Sequence, residues 1–341
     1  MKRRIAMIGL GMAVTPHAKG LLDLADRVEV VWAASRTQAR CDQFAAHFQF
    51  PTTTDIDQIF DDPSIDAVAV LTPPNSHLEL VHRAAATGKH VFLEKPLEID
   101  STRARELVEV AGDTGIKTGV VLQSRFRASS QTLGRLIEEG DLGDIAAANV
   151  SVPWWRPQSY YDEPGRGTQA RDGGGALITQ AIHPLDLFQS LIGGVRAVSA
   201  VAATTAVHDM ECEDFVAAGL ILANGAPGGL VATTAQYPGA SEKIDIIGTK
   251  GTASLAGEVL DVHYHDGRHE RIGTPVKTGG GGADPMDFPH DAHRAVMADF
   301  LDALDQDREP LVTVAEALKV HILIDALLAS AASGKQVELS A

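Results

Sequence analysis

Val91-Phe92-Leu93-Glu94-Lys95-Pro96 decides how the rest of this 341-residue chain is read. The apolar run from His90 to Leu93 predicts a short buried strand, and the acid, lysine and proline behind it bring one ammonium to its C-terminal tip. Pro96 ends the strand and fixes the backbone just past the lysine. In open parallel α/β sheets, ligands bind at the carboxyl ends of the strands. A lysine enclosed there shifts its pKa readily; on a surface it would simply pair with Glu94.

The flanking sequence favours the enclosed reading. Apolar or β-branched runs predict strands over 4–8, 28–34, 66–71, 90–93 and 117–122. Helical segments fall between them: 15–24, a helix capped by Thr37 and running to Phe48, one opened by Thr54 and running to Phe60, one capped by Asn75 or Ser76 and closed by Gly88, and 101–111. Repeated βαβ units predict a doubly wound parallel sheet, a dinucleotide-binding domain over residues 1–122. Near Gln123 the texture changes. A helix over 130–139 precedes strand-like runs at 145–152, 196–204, 214–223, 228–236, 243–248 and 258–265. These predict a second, α+β domain over 123–341 with a large, mostly antiparallel open sheet. Two helices close the chain. One covers 291–305, and the other starts at the capping box Thr313-x-x-Glu316 and runs to Ser333, with Gly334 behind it. The Gly279–Gly282 run reads as a mobile loop and a candidate lid.

Composition bounds the function. With 29 basic and 45 acidic residues the formal charge is −16, which argues against a nucleic-acid surface. No stretch is long and apolar enough to predict a membrane span, and the short run behind Met1-Lys2-Arg3-Arg4 is broken by Gly9 and Gly11. Cys41 and Cys212 have neither metal spacing nor a paired framework, which suits a reducing cytoplasm.

Gly9-x-Gly11 lies between the first strand and helix, where backbone N–H groups and a helix N-terminus meet a pyrophosphate. The strict third position is Val14, with Ala13 one residue early. The second strand ends in Ala34-Ser35-Arg36, with Arg40 about one turn further on, and lacks the acid that would bind a ribose 2′-hydroxyl. An arginine and a hydroxyl there suit a 2′-phosphate, so NADP is expected, with NAD the alternative if Arg36 is simply exposed. Thr72-Pro73-Pro74-Asn75-Ser76-His77 follows the third strand and reads equally as a helix cap or a cofactor-lining loop. In the second domain, Asp172-Gly173-Gly174-Gly175 leads into a helix on which Thr179, His183 and Asp186 share a face at i, i+4 and i+7. Pro184 inside an uninterrupted helix would cost roughly 3 kcal/mol, so a kink is expected beside His183. His263 and His265 alternate onto one strand face with His269 nearby, but no acid or cysteine completes a metal set, and no metal is expected.

Gly9-x-Gly11, the Thr72–His77 loop, Glu94-Lys95-Pro96 and Gly173-Gly174-Gly175-Ala176-Leu177 with His183-Pro184-Leu185-Asp186 occur in this order along essentially the whole chain. Together they resemble the Gfo/Idh/MocA family of NAD(P)-dependent oxidoreductases. The resemblance implies an N-terminal Rossmann domain and a C-terminal domain whose open sheet forms a homodimer or homotetramer. It implies hydride transfer to or from a ring secondary alcohol of a sugar, cyclitol or sugar derivative, with Lys95 and His183 as the catalytic pair. Thr179 stands where many members carry Asp, which puts a charged relay in doubt. Gly9, Gly11, Met12, Ala13, Ser35, Arg36, Arg40, Thr72, Pro73, Asn75, His77, Glu94 and Lys95 would line the cofactor. Arg125, Trp155, Arg156, Tyr160, Arg166, Gln180 and Asp186 would meet the substrate, aromatics and arginines suiting a sugar ring with a carboxylate or phosphate. The Trp154–Thr168 stretch also resembles the branch acting on UDP-linked amino-sugar uronates, although Gly165 and Gln169 stand where that branch would carry tryptophans. A catalytically silent NADPH- or sugar-binding regulator is the reading from another class.

Overall fold

The computed structural model describes residues 2–11, 13–275 and 289–339. Met12 and the Gly279–Gly282 run, both singled out above, lie outside the described residues. The chain divides into two contact units, Met1–Gln123 with Pro289–Leu318 and Ser124–Phe288 with Lys319–Ala341. The break at Gln123 follows the change in sequence pattern; the return of 289–318 to the first unit has no counterpart in it.

The first unit is built on a wholly parallel sheet of six strands: β1 (Arg3–Ile8), β2 (Val28–Ala34), β3 (Thr52–Thr53), β4 (Ala67–Val70), β5 (His90–Leu93) and β6 (Thr118–Val120). The spatial order is β3-β2-β1-β4-β5-β6. Ala67 to Val70 and Val91 to Leu93 have no exposed surface, as expected of strands covered on both faces. The order reverses between β1 and β4, and the crevice outside their carboxyl ends is where such sheets bind nucleotides. The helix Asp291–Gln306 packs on the helix Val14–Asp23 and on β6. Phe300 lies 5.7 Å from the Phe92 ring, and a Cβ on Gly119 would come within 2.8 Å of it.

Several local expectations change. The helix predicted from Thr54 begins only at Asp57, because Thr52–Thr53 pairs with β2 as an edge strand. Thr37 and Ser76 occupy N-cap positions but make no cap hydrogen bond; Ser76 Oγ donates instead to Thr72 Oγ1 (2.7 Å) and to the Pro73 carbonyl (2.8 Å). Asp100 does cap its helix, accepting Arg103 N–H at 2.8 Å. Thr313 accepts the Glu316 N–H at 3.2 Å, as the predicted capping box requires.

The second unit holds a nine-stranded sheet of β7 (Ile145–Pro153), β8 (Val195–Ala203), β9 (Phe215–Leu222), β10 (Pro227–Thr233), β11 (Lys243–Gly248), β12 (Gly251–Ala256), β13 (Val259–Tyr264), β14 (His269–Ile272) and β15 (Val337–Glu338), in the order β14-β13-β12-β11-β7-β10-β9-β8-β15. Every neighbouring pair is antiparallel except β7 with β10. The glycine-led helix is irregular beside His183, as the proline implies. Leu177–Ala181 forms a π-helical turn that runs into the regular helix Ile182–Ile192, with Pro184 in its first turn. The wider turn sits where Pro184 has no N–H to return to Gln180. Among the described residues, no helix is long and apolar enough to cross a membrane.

Candidate active site

In the first unit, the turn after β1 has the form a dinucleotide needs. Gly9 has φ +106° and donates its N–H to the Ala34 carbonyl at 2.9 Å. A side chain there would collide with the end of the neighbouring strand, its Cβ 2.7 Å from Leu71 C and 2.8 Å from Leu71 O. Gly11 is exposed with open space around it, so backbone N–H groups can approach a bulky anion. Ala13 is the residue preceding the helix Val14–Asp23. A groove lined by Gly11, Thr15, Lys19, Arg40 and His47 runs between this helix and Gln38–Phe48. Lys19 was not anticipated from the sequence. At the tip of β2, Ser35 is part-buried and Arg36 exposed, and Arg40 Nη1 donates to Gln43 Oε1 at 3.2 Å. Pro73 and Asn75 are exposed and Thr72 is part-buried, at the same sheet edge.

Lys95 emerges, part-buried, from the tip of β5. Two side chains expected to line the cofactor, Glu94 and His77, also hold the loop that bears Lys95. Glu94 is 7% exposed; Oε1 lies 2.6 Å from His17 Nε2 and Oε2 accepts the Lys95 N–H at 3.0 Å. Burial pushes the Glu94 carboxyl up, but the His17 hydrogen bond and the nearby Lys95 charge outweigh it, leaving the group below the usual carboxylate range. His77 has no exposed surface. Its Nε2 lies 2.8 Å from the Thr72 carbonyl oxygen and its Nδ1 3.0 Å from that of Pro96, so it ties the Thr72 loop to the loop bearing Lys95. Burial holds its pKa below the ordinary histidine range. His17 stacks edge-on against Phe92 (5.6 Å) and against His293 (5.2 Å). His17, Glu94 and His293 are all buried and offer ligand atoms within 4.8 Å of one another, an arrangement that could hold a metal ion. Nothing in the sequence signals it, because residues 17, 94 and 293 meet only in the fold. The histidines considered in sequence behave differently: His263 and His269 are cross-strand partners stacked at 4.2 Å, and His265 lies beyond the end of β13.

In the second unit, the π turn that leads into the helix bearing His183 is anchored by Glu213. Its Oε1 accepts the Leu177 N–H at 3.0 Å, and its carbonyl accepts the Ala176 N–H at 2.8 Å. Gly175 is required here, since a Cβ would collide with the Glu213 carbonyl oxygen. Thr179 Oγ1 donates to the Gly175 carbonyl at 2.6 Å, a bond within its own helix. Asp186 is 1% exposed and accepts both Arg125 Nε (2.7 Å) and Nη2 (2.6 Å). The predicted substrate contacts Arg125 and Asp186 are thus each other's partners. Trp155 lies against His208 (5.9 Å) and Tyr237 (5.4 Å). The remaining expected contacts do cluster. Arg156 and Arg166 both face the Tyr160 ring, at 5.9 and 4.6 Å, and Gln180 Nε2 donates to Tyr160 Oη at 2.8 Å. Neither thiol joins these groups as a nucleophile: Cys41 is buried, and burial pushes the Cys212 thiol up to about 11.

Comparison with known proteins bears on both units. Residues 3–122 match a family described as an oxidoreductase family with an NAD-binding Rossmann fold, and 130–254 match the GFO/IDH/MocA C-terminal domain. The chain is 25% identical to inositol 2-dehydrogenase of Rhizobium meliloti over 352 aligned positions covering all of both chains. It matches the WlbA dehydrogenase of Bordetella pertussis, solved with NADH and UDP-GlcNAcA, at 28% identity and a TM-score of 0.85, again over the whole of both chains. Levoglucosan dehydrogenase, 24% identical with a TM-score of 0.88 over both full chains, shares the fold.

Proposed function

We propose, for a chain that belongs to the Gfo/Idh/MocA family of NAD-binding oxidoreductases, a reversible dehydrogenation of a ring secondary alcohol in a sugar, cyclitol or sugar derivative. The protein is a nicotinamide-dependent oxidoreductase acting on CH–OH groups. The observation that carries the reading is the β5 tip, where a buried carboxylate held by His17 fixes the backbone of Lys95 beside a dinucleotide-type turn.

The residues present fit a dinucleotide. Gly9 keeps the turn tight, Gly11 leaves room, and Ser35 and Arg36 stand at the β2 tip without an acid. Gly9, Gly11, Ala13, Ser35, Arg36 and the Thr72 loop would hold it, and the bound nicotinamide supplies the hydride acceptor or donor. The absence of an acid at the tip and the presence of Arg36 and Arg40 support NADP over NAD. On the substrate side, His183 takes the hydroxyl proton and the Lys95 ammonium stabilises the developing alkoxide. The exchange of these two roles is the alternative assignment. His77 and Glu94 act as positioning residues for the Lys95 loop.

The exposed face of the nine-stranded sheet, where Val201, Val231 and Ile247 are 64%, 41% and 39% exposed, supports a homodimer or homotetramer through that sheet. Two free cysteines support a cytoplasmic setting. The test is a screen of cyclitols, aldoses and nucleotide sugars with NAD⁺ and NADP⁺, following cofactor reduction. Conversion of a ring alcohol to its ketone is the expected result. Cofactor binding with no turnover across the panel would favour a silent regulator.

A further inference from the structure

Among the described residues, Arg156 is a buried cation with no carboxylate partner. The residue is 2% exposed, Nη1 donates to the Trp155 carbonyl at 2.8 Å, and Nε has no hydrogen-bond partner among them. The guanidinium faces the rings of Trp154 and Tyr160 at 5.6 and 5.9 Å. Burial lowers its pKa from the ordinary arginine range, opposed among the described residues by the phenols of Tyr160 and Tyr161. Two other arginines of the same unit are treated differently. Arg125 is matched by Asp186 and Arg127 by Glu242, in both cases by carboxylates at least 90% buried. Proteins leave a buried charge unmatched rarely, because desolvation of an ion is compensated only by an opposite charge with good geometry.

A second guanidinium shares the same ring. Arg166 lies 4.6 Å from the Tyr160 centroid, and among the described residues its Nε has no hydrogen-bond partner. Its ion-pair partner Glu163, at 3.0 Å, is 43% exposed, and the buried Asp172 adds a negative charge nearby. Tyr160 is fastened by its hydroxyl to Gln180, which lies in the π turn three residues before His183. The Arg156 charge therefore faces a ring fastened to the turn that leads into the helix bearing the proposed base. Arg166, with 16% of its side chain exposed, is the more open of the pair. Arg156 adds a nearby field that a low-dielectric surrounding does little to screen.

We propose that Arg156 and Arg166 form an anion subsite, so that the ring alcohol oxidised here belongs to an acidic sugar, bearing a carboxylate or a phosphate, and not to a neutral polyol. The inference rests on the dehydrogenase reading for the reaction, but the subsite itself is tested by binding alone. The probes are D-glucuronate for a carboxylate and glucose 1-phosphate for a phosphate, against glucose and myo-inositol. Each is titrated calorimetrically into the full chain in the presence of oxidised cofactor, for wild type, Arg156→Met and Arg166→Gln.

In wild type, at least one acidic probe should bind at least about tenfold more tightly than the neutral pair, with affinity falling as salt rises. Which acidic probe gains identifies the anion. Each substitution should remove most of that advantage. Thermal unfolding without ligand separates this from a structural role: Arg156→Met should leave the midpoint unchanged or raise it, since it removes an unmatched buried charge. Equal binding of acidic and neutral probes by wild type would overturn the subsite. So would a large fall in the unfolding midpoint of Arg156→Met together with undiminished acid preference in Arg166→Gln. Acidic probes that bind through these arginines without any cofactor reduction would uphold the subsite and count against the dehydrogenase reading.

Discussion

Glu94 and His17 are joined by a 2.6 Å contact between Oε1 and Nε2, and the other oxygen of that carboxylate holds the Lys95 backbone at 3.0 Å. The lysine is therefore positioned through an acid that never needs to touch substrate. This gives Glu94-Lys95-Pro96 a division of labour that the sequence alone leaves open. Replacing His17 by Leu would strand a carboxylate that is 7% exposed, with an expected loss of about 3 kcal/mol of stability. The sign with pH is fixed by the direction of the Glu94 shift. Its folded pKa is depressed, so the stabilisation is fully present above the unfolded carboxyl value and is lost as pH falls through the folded one. The difference between wild type and His17→Leu, measured by denaturant unfolding, should be largest at neutral pH and shrink in acid. A penalty independent of pH would show that His17 contributes packing only.

Cofactor choice is tested at the β2 tip. Arg36→Ala should lower kcat/KM for NADP by about tenfold, the scale of one lost charge-assisted contact, while changing that for NAD little. If NAD is the better cofactor and the substitution alters neither value, the strand-tip argument fails.

Gly175→Ala probes the support of His183. The added Cβ would meet the Glu213 carbonyl oxygen, a backbone atom that can yield only by moving the segment it belongs to. A loss of about 3 kcal/mol or more is expected, the upper part of the overpacking range. A variant as stable as wild type would mean that the Glu213 anchor adjusts freely.

Much of this architecture is visible in sequence because it depends on local chemistry. Lys243–Gly248 and His90–Leu93 are strands of apolar and β-branched residues bounded by turns, and both lie where periodicity puts them. Gly251–Ala256 is hidden in the sequence, since its small residues carry little β signal and it owes its place to pairing on both sides. His269–Ile272 is a polar edge strand, and Val337–Glu338 pairs with β8 only through the fold. The site divides in the same way. Gly9, Gly11 and Lys95 announce themselves through spacing at strand ends. His17 and His293 do not, nor does the mutual pairing of Arg125 with Asp186, because these depend on which distant segments meet. The π turn at Leu177–Ala181 was felt only indirectly, through the misfit of Pro184 in a regular helix.

His183 and Thr179 make a prediction in pH. If His183 is the general base, its neutral imidazole is the competent form, and with a reference imidazole pKa of about 6.5 oxidation should rise through the neutral range. Thr179→Asp would add a negative charge that favours imidazolium, moving the acidic limb of kcat/KM to higher pH. It would also break the hydroxyl bond to the Gly175 carbonyl. His183→Ala should abolish the limb. The same limb in His183→Ala would transfer the titrating role to another group, with Lys95 the first to examine.

The most direct test of the account is the turnover of Lys95→Met. With a substrate identified by the alcohol screen, wild type should reduce the nicotinamide cofactor in step with ketone formation. Lys95→Met should fold and bind cofactor normally, with kcat lower by at least about a hundredfold, the small end of what lost acid–base or alkoxide stabilisation removes. Near-normal kcat in that variant would contradict the assignment of the β5 tip as the catalytic centre.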